Sequence, residues 1–354
     1  IAFFQIEGFP GVRECTDINF LRLPVALPKP DDLEKSYVMG YFYRWRLWLI
    51  RAIREYFPGS DPSRALIEAL LLGYKRGLDP EVRSAFQLSG VSHILAVSGL
   101  HVGLVLTFAL FLVGRLLPAG ADRKPYVTIP LIGLLFFYGF LTAASPSAMR
   151  AVIMGSVALM ARVLYRPYAA LNAMGLACFL QLLADSKVLY NVGFQLSYAA
   201  VGGILAWYGP FRQFLSGLDR VPYLGSYLKD LIAISLAAQL GTLGISWAYF
   251  GQFPVYFLLA NLAAIPMATA LSYAGVLWLL TYGVPLVGAG LGWLTALLAE
   301  GLLKIVSFVS MLPGKAIALP PIPPAAGLLF SLLAILAGFT YQALYQKRRV
   351  EVIV

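Results

Sequence analysis

From Gly90 onward the chain alternates between long apolar runs and short polar or proline-rich breaks; before Gly90 it does not. The runs lie near 93–117, 126–142, 146–164, 169–185, 191–208, 228–250, 254–282, 286–312 and 325–345. Several reach the roughly 20 apolar residues that cross a bilayer as a helix. Breaks at 118–120, 145–146, Pro167, Pro210, Pro285 and 320–324 punctuate them. The pattern predicts an all-α polytopic membrane protein of about nine transmembrane helices. Proline and glycine inside several runs predict broken or re-entrant segments, which membranes tolerate where backbone lines a cavity.

Upstream, "YFYRWRLWLIRAIREYF" (41–57) follows a helical period. Arg44 and Arg51 share one face; Leu49, Ile53 and Phe57 share another. With Trp45, Arg46, Trp48 and Arg54, this predicts an amphipathic helix lying in the headgroup region. Residues 62–90 are too charged to span and predict two short helices broken at 77–80. Residues 1–40 are proline-rich, with acidic Asp31, Asp32 and Glu34, and read as the remnant of an extracytoplasmic domain and its linker. No initiator Met is present, so the start reads as the cut end of something longer. Four parts result: 1–40, the interfacial and short helices of 41–90, a transmembrane domain over 91–345, and a basic tail over 346–354.

Charge adds an orientation. Charged residues make up 12% of the chain, where a soluble globular domain carries about a quarter. Basic clusters follow the first run (Arg115, Arg123, Lys124), the third (Arg162, Arg166), the fifth (Arg212, Arg220) and the last (Lys347, Arg348, Arg349). The positive-inside rule then places residues 1–90 outside and the C-terminus in the cytoplasm. The run 286–312 carries Glu300 and Lys304, an i,i+4 pair; were it to lie flat, the C-terminus would move outside. The net charge of +10 also suits a polyanion or anionic lipid. Cys15 and Cys178 give no disulfide framework, and Cys178, inside an apolar run, reads as a small buried packing residue.

Both histidines of the chain fall in "SHILAVSGLHV", at the mouth of the first run. Ser98 and His101, at i and i+3, can touch. A metal site would need a third ligand, which no nearby Asp, Glu or Cys supplies. A Ser98–His101 dyad could serve an intramembrane hydrolase. Alternatively, His93, Ser98, Gly99 and His101 form a polar constellation at the entrance of a pathway. Deeper polar residues extend that choice: Arg150, Gln195, Ser197, Tyr198, Gln239, Thr242, Asn261 and Pro266. Each is either glue between helices or the lining of a shared polar interior. Arg150 fits glue least, because its charge persists at any physiological pH.

The stretch "ALLLGYKRGLDPEVRSAFQLSGVSHILAVSGLHVGLV" resembles the signature of the ComEC competence family. So do the later "SPSAMRAVIM", "LLADSKVLYNVGFQLSYAAVGGI" and "FGQFPVYFLLANLAAIPMATAL", in the same order, over roughly 62–280. "ADSKV" departs from the family's usual Asp-Pro pair. The resemblance implies an inner-membrane channel of transformable bacteria that passes single-stranded DNA inward from an external receptor. It places His93, Ser98, Gly99 and His101 in the core of the competence domain, and matches Arg150, Gln195, Ser197, Asn261 and Pro266 to its motifs. Family members commonly add an OB-like domain and a metallo-β-lactamase-like nuclease domain. Two histidines in one segment cannot supply the nuclease's metal motif, so this chain is expected to be no enzyme and to carry no cofactor. It has no G-x-x-x-x-G-K-[ST] loop, so a separate cytoplasmic motor is an expected partner. A transporter of small anions such as nucleotides is the remaining alternative. The arginine-rich, aromatic residues 41–57 would serve as a rim for the strand or as a plain membrane-lipid anchor.

Overall fold

Prolines set where many of the helices begin. Pro80, Pro125, Pro146 and Pro285 occupy first-turn positions, where a missing N–H costs little because the opening N–H groups have no intrahelical acceptor. The computed structural model describes residues 37–57, 62–118, 120–220 and 224–353. Among them the helices are α1 (Tyr37–Tyr56), α2 (Pro62–Leu72), α3 (Pro80–Leu88), α4 (Gly99–Leu116), α5 (Pro125–Leu141) and α6 (Pro146–Val163). They continue with α7 (Ala170–Ala184), α8 (Val192–Phe214), α9 (Leu224–Phe250), α10 (Phe257–Thr281), α11 (Pro285–Met311) and α12 (Pro324–Ile353). Residues 1–36, nearly all of the expected extracytoplasmic remnant, lie outside the described residues, as do the side chains of the basic tail. Contacts divide the chain into Ile1–Tyr41 and a larger compact unit, Phe42–Val354, which holds most of α1 and all of α2 to α12.

Each of the nine apolar runs coincides with one helix, α4 to α12. Five of these helices are long and apolar enough to cross a membrane: α4, α9, α10, α11 and the Pro324–Tyr345 part of α12. Helices α5 and α7 are apolar but shorter.

The prolines inside the runs do not break them. α5 continues through Pro130, α8 through Pro210 and α10 through Pro266, which corrects the expected break at Pro210 and the broken helices expected within these runs. At Pro210 the reason is visible. A proline cannot donate to the carbonyl four residues back, here Ala206 O. Gln342 Nε2 of α12 donates to that carbonyl at 2.6 Å and to Leu205 O at 3.2 Å, so a neighbouring helix replaces the lost bond. Two three-residue strands, β1 (Gln252–Pro254) and β2 (Ala316–Ala318), pair antiparallel, an addition to the expected all-helical fold.

Two apolar cores form. The first joins Ile50 and Ile53 of α1, Leu66 and Leu70 of α2, Phe86 of α3, Leu271 and Trp278 of α10, and Leu302 of α11. The second joins Val102 of α4, Leu135 of α5, and Val152 and Leu159 of α6. Helix α9 meets α8 and α12 instead backbone to backbone. A Cβ on Gly203 would lie 2.8 Å from the Gly241 Cα, and Gly244 and Gly327 face each other in the same way. Small residues let membrane helices approach this closely. Cys178 on α7 is half-buried, not buried as expected.

Helix α1 is amphipathic, as its period predicts, but from Phe42 to Tyr56 it is also packed against other helices. Phe42 rests 5.2 Å from the Phe140 ring of α5, and the Tyr56 hydroxyl donates to Gly288 O of α11 at 3.1 Å. Arg44, Trp45, Trp48 and Arg51 face outward.

The starts of α4 and α6 are tied by Ser147 Oγ, which donates to Val97 O at 2.8 Å. Their far ends meet through the Arg162–Asp122 ion pair at 3.2 Å and through Arg123 over the Tyr165 ring. The basic linkers around 120–124 and 162–166 therefore share one end of these helices, opposite the histidine-bearing segment.

Candidate functional site

The histidine segment resolves into a 3₁₀ turn, Ser92–Leu95, and the start of α4. Ser98 is the N-cap: its Oγ accepts the Leu100 N–H at 3.3 Å, and its own N–H donates to His101 Nδ1 at 3.3 Å. That is a capping box with histidine in the place usually held by Glu or Gln. The expected Ser98–His101 contact exists, at 3.4 Å from Oγ to Nδ1, but both groups already serve the helix end. Accepting at Nδ1 leaves the neutral ring's proton on Nε2, and Nε2 is buried without a partner. His93 is exposed on the 3₁₀ turn. Gly90, at φ +80°, lets this segment approach β1 and α10; a Cβ there would lie 2.7 Å from Phe257 Cβ.

The start of α6 carries the second half of the site. The α5–α6 turn places Ala143 and Ala144 at φ 63° and 48°, a left-handed conformation costing roughly 1–2 kcal/mol per residue outside glycine. One turn into α6, Arg150 is 7% exposed. Its Nη1 donates to Ser197 O of α8 at 2.8 Å, its Nε has no partner, and its guanidinium lies 5.8 Å from the centroid of the Tyr198 ring. A Cβ on Gly99 would sit 3.7 Å from Arg150 Nη2, so the guanidinium faces the first residue of α4. Gln181 of α7 links the same groups: in the amide orientation that satisfies them all, it donates to Pro146 O and accepts from Arg150 N and Tyr198 OH.

Arg150 thus brings together Gly99, Ser197 and Tyr198, with Ser98 and His101 on the adjoining turn of α4. Gln195 lies one turn before Tyr198; its Nε2 donates to Leu189 O at 2.9 Å while its Oε1 stays buried and unpartnered. No hydrogen bond among the described residues joins Gln239 or Asn261 to this cluster, and the Asn261 Oδ1 is buried without a partner. Thr242 bonds back to its own helix at Ala238 O.

The six expected rim residues divide. Arg44, Trp45, Trp48 and Arg51 are exposed, whereas Arg46 and Arg54 hold the fold. Arg46 Nε donates to Leu72 O at 2.9 Å, and Arg54 makes a two-pronged contact with Glu68 at 2.8 and 3.1 Å. Both guanidinium groups lie over the Tyr74 ring, 5.7 and 5.6 Å from its centroid. The Glu68 hydrogen bonds hold Arg54 above its ordinary pKa, while burial pushes Arg46 below its own. Glu68, 1% exposed and also near Arg64, is not among the residues the sequence singles out. Its signal is a lone carboxylate in the apolar "ALIEALLL", with an arginine four residues before it.

Chemically, the cluster around Arg150 offers donors and positive charge rather than a nucleophile with its base. Among the described residues, no three of His, Cys, Asp and Glu group to hold a metal.

No solved structure matches the chain significantly. Relatives include ComE operon protein 3 of Bacillus subtilis (strain 168), 33% identical over 207 residues, which are 58% of this chain and 25% of the relative. Competence protein ComA of Neisseria gonorrhoeae is 26% identical over 271 residues, 75% of this chain and 37% of the relative. An uncharacterised protein of Aquifex aeolicus (strain VF5) is 32% identical over 223 residues, 63% and 49% of the two chains. The chain thus spans at most about half the length of these curated relatives. The family model described as "Competence protein" matches residues 70–344, which take in α3 through most of α12. The chain belongs to the competence protein (ComEC) family.

Proposed function

We propose that this chain is the membrane channel of a DNA-uptake system, passing single-stranded DNA into the cytoplasm of a bacterium. The observation that carries the reading is the coincidence of the family match, 70–344, with the helical bundle itself. On this reading α4 to α12 all cross the cytoplasmic membrane, with residues 1–90 outside and the C-terminus inside. His93, Ser98, Gly99, His101, Arg150, Gln195, Ser197, Tyr198, Gln239 and Asn261 line or support the path. Arg44, Trp45, Trp48 and Arg51 form its outer rim, and an external receptor and a cytoplasmic motor complete the system, alongside OB-like and nuclease-like domains of a longer protein. The proposed path is polar but lightly charged, which suits passage over tight capture. The hydrolase reading is disfavoured, because Ser98 and His101 are engaged as a helix cap.

The test is binding of labelled single-stranded oligonucleotide to the protein in nanodiscs across a salt series. Log affinity should fall linearly with log salt, by about 0.7 per phosphate engaged. Absence of binding even at low salt would sink the reading. Competition by mononucleotides as strong as by oligonucleotides would replace it with a small-anion transporter.

A further inference from the structure

Arg150 is a cation more than nine-tenths buried that makes no ion pair among the described residues. The ionisable groups beside it are Tyr198 and Tyr168. The ion-paired carboxylates Glu68, Asp122, Asp230 and Glu300 are held by other cations. The guanidinium sits within two turns of the start of α6 and faces Gly99, the first residue of α4. Helix starts carry partial positive charge, and α4 keeps this although its Leu100 N–H is already capped by Ser98 Oγ. An unpaired guanidinium beside two such ends is electrostatically incomplete. Its Nε–H is a buried donor with nothing to bond, and a glycine at 99 keeps side-chain bulk out of the space between guanidinium and helix start.

We infer that Arg150, with the N-terminus of α4, is a subsite for one phosphate. It would take a non-bridging phosphate oxygen at Nε–H and a second at Nη2–H, the two-pronged geometry a guanidinium offers and an ammonium does not. Resting on the channel reading, the phosphate is one link of the passing sugar–phosphate backbone. Ser197 O holds Nη1 and so fixes the plane of the fork.

The experiment uses the full chain in nanodiscs of neutral lipid. The thermal unfolding midpoint is followed in phosphate against chloride at matched ionic strength. The wild-type midpoint should climb with phosphate along a single-site isotherm. Arg150→Gln should abolish the climb, and Arg150→Lys, which keeps the charge, should need about tenfold more phosphate for the same shift. An unresponsive wild type, or an Arg150→Gln response equal to wild type, overturns the subsite. If Arg150→Gln does not fold, Arg150→Lys decides, and a wild-type response in that variant overturns the two-pronged geometry. A second arm repeats the oligonucleotide salt series. The slope in Arg150→Gln should be shallower than wild type by about 0.7, one phosphate's worth. Phosphate binding lost in the variant with an unchanged oligonucleotide slope would overturn the assignment to nucleic acid and leave a site for a free anion. Oligonucleotide that fails to bind wild type, while phosphate still shifts the midpoint, would mean that the channel reading has failed and the anion site has not.

Discussion

Arg54 and Arg150 are both guanidinium groups set against apolar helices, and they are handled in opposite ways. Arg54 meets the buried Glu68 with two hydrogen bonds, Arg64 stands nearby, and Tyr74 packs against the flank. Arg150 has one backbone carbonyl, one aromatic face and a free Nε–H. The first arrangement closes on itself and fastens α1 to α2. The second stays open: its Nε–H has no partner, and the guanidinium makes no ion pair among the described residues. A paired buried charge is part of the architecture; the unpaired one is where the phosphate subsite is proposed.

Removing Glu68 should therefore give the largest effect. Glu68→Ala leaves two arginines without their carboxylate and should lower unfolding stability in nanodiscs by about 3 kcal/mol, the low end of the range for a broken buried pair because Arg54 is partly exposed. The double variant Arg54→Met/Glu68→Leu should recover most of the loss. Arg150→Met should do the reverse, raising stability by about 1–2 kcal/mol as an unpaired charge leaves the bundle, while oligonucleotide affinity falls. A loss comparable to that of Glu68→Ala would erase the distinction between the two sites. Ser98→Ala removes the cap of α4 and should lower stability by about 1 kcal/mol in the same unfolding measurement. Glu300→Gln, at an exposed i,i+4 pair 2.7 Å from Lys304, should change stability by less than about 0.5 kcal/mol.

The same contrast marks what could be read from the chain. The nine apolar runs became nine helices because length and hydrophobicity are local properties. So was the Ser98–His101 contact, which needed only a three-residue spacing. The continuity of α8 through Pro210 was not legible, since it rests on Gln342 of α12 arriving at the Ala206 carbonyl. The partition of the four arginines in α1 was half legible: the seven-residue spacing put Arg44 and Arg51 on one face. Nothing in it revealed that Tyr74 and Glu68 would hold Arg46 and Arg54. Two adjacent alanines in the left-handed region also left no trace in "LTAASP", where glycine or asparagine would have announced such a turn. The identity of Arg150 as the odd polar group was legible, and Gly99, Ser197 and Tyr198 were named with it; that they would meet it, together with Gln181, was not.

The glycine contacts among α8, α9 and α12 carry a further mechanical consequence. Where Gly203 bears on Gly241 and Gly244 on Gly327, peptide planes themselves are the bearing surfaces. No rotamer can swing aside there to admit a guest, and any added carbon would jam the joint. These three helices form one plate. In the channel proposed above, the strand would run beside that plate rather than through it. Helix α6 meets that plate at Ser197 and Tyr198 through the Arg150 guanidinium, by a hydrogen bond and a ring contact.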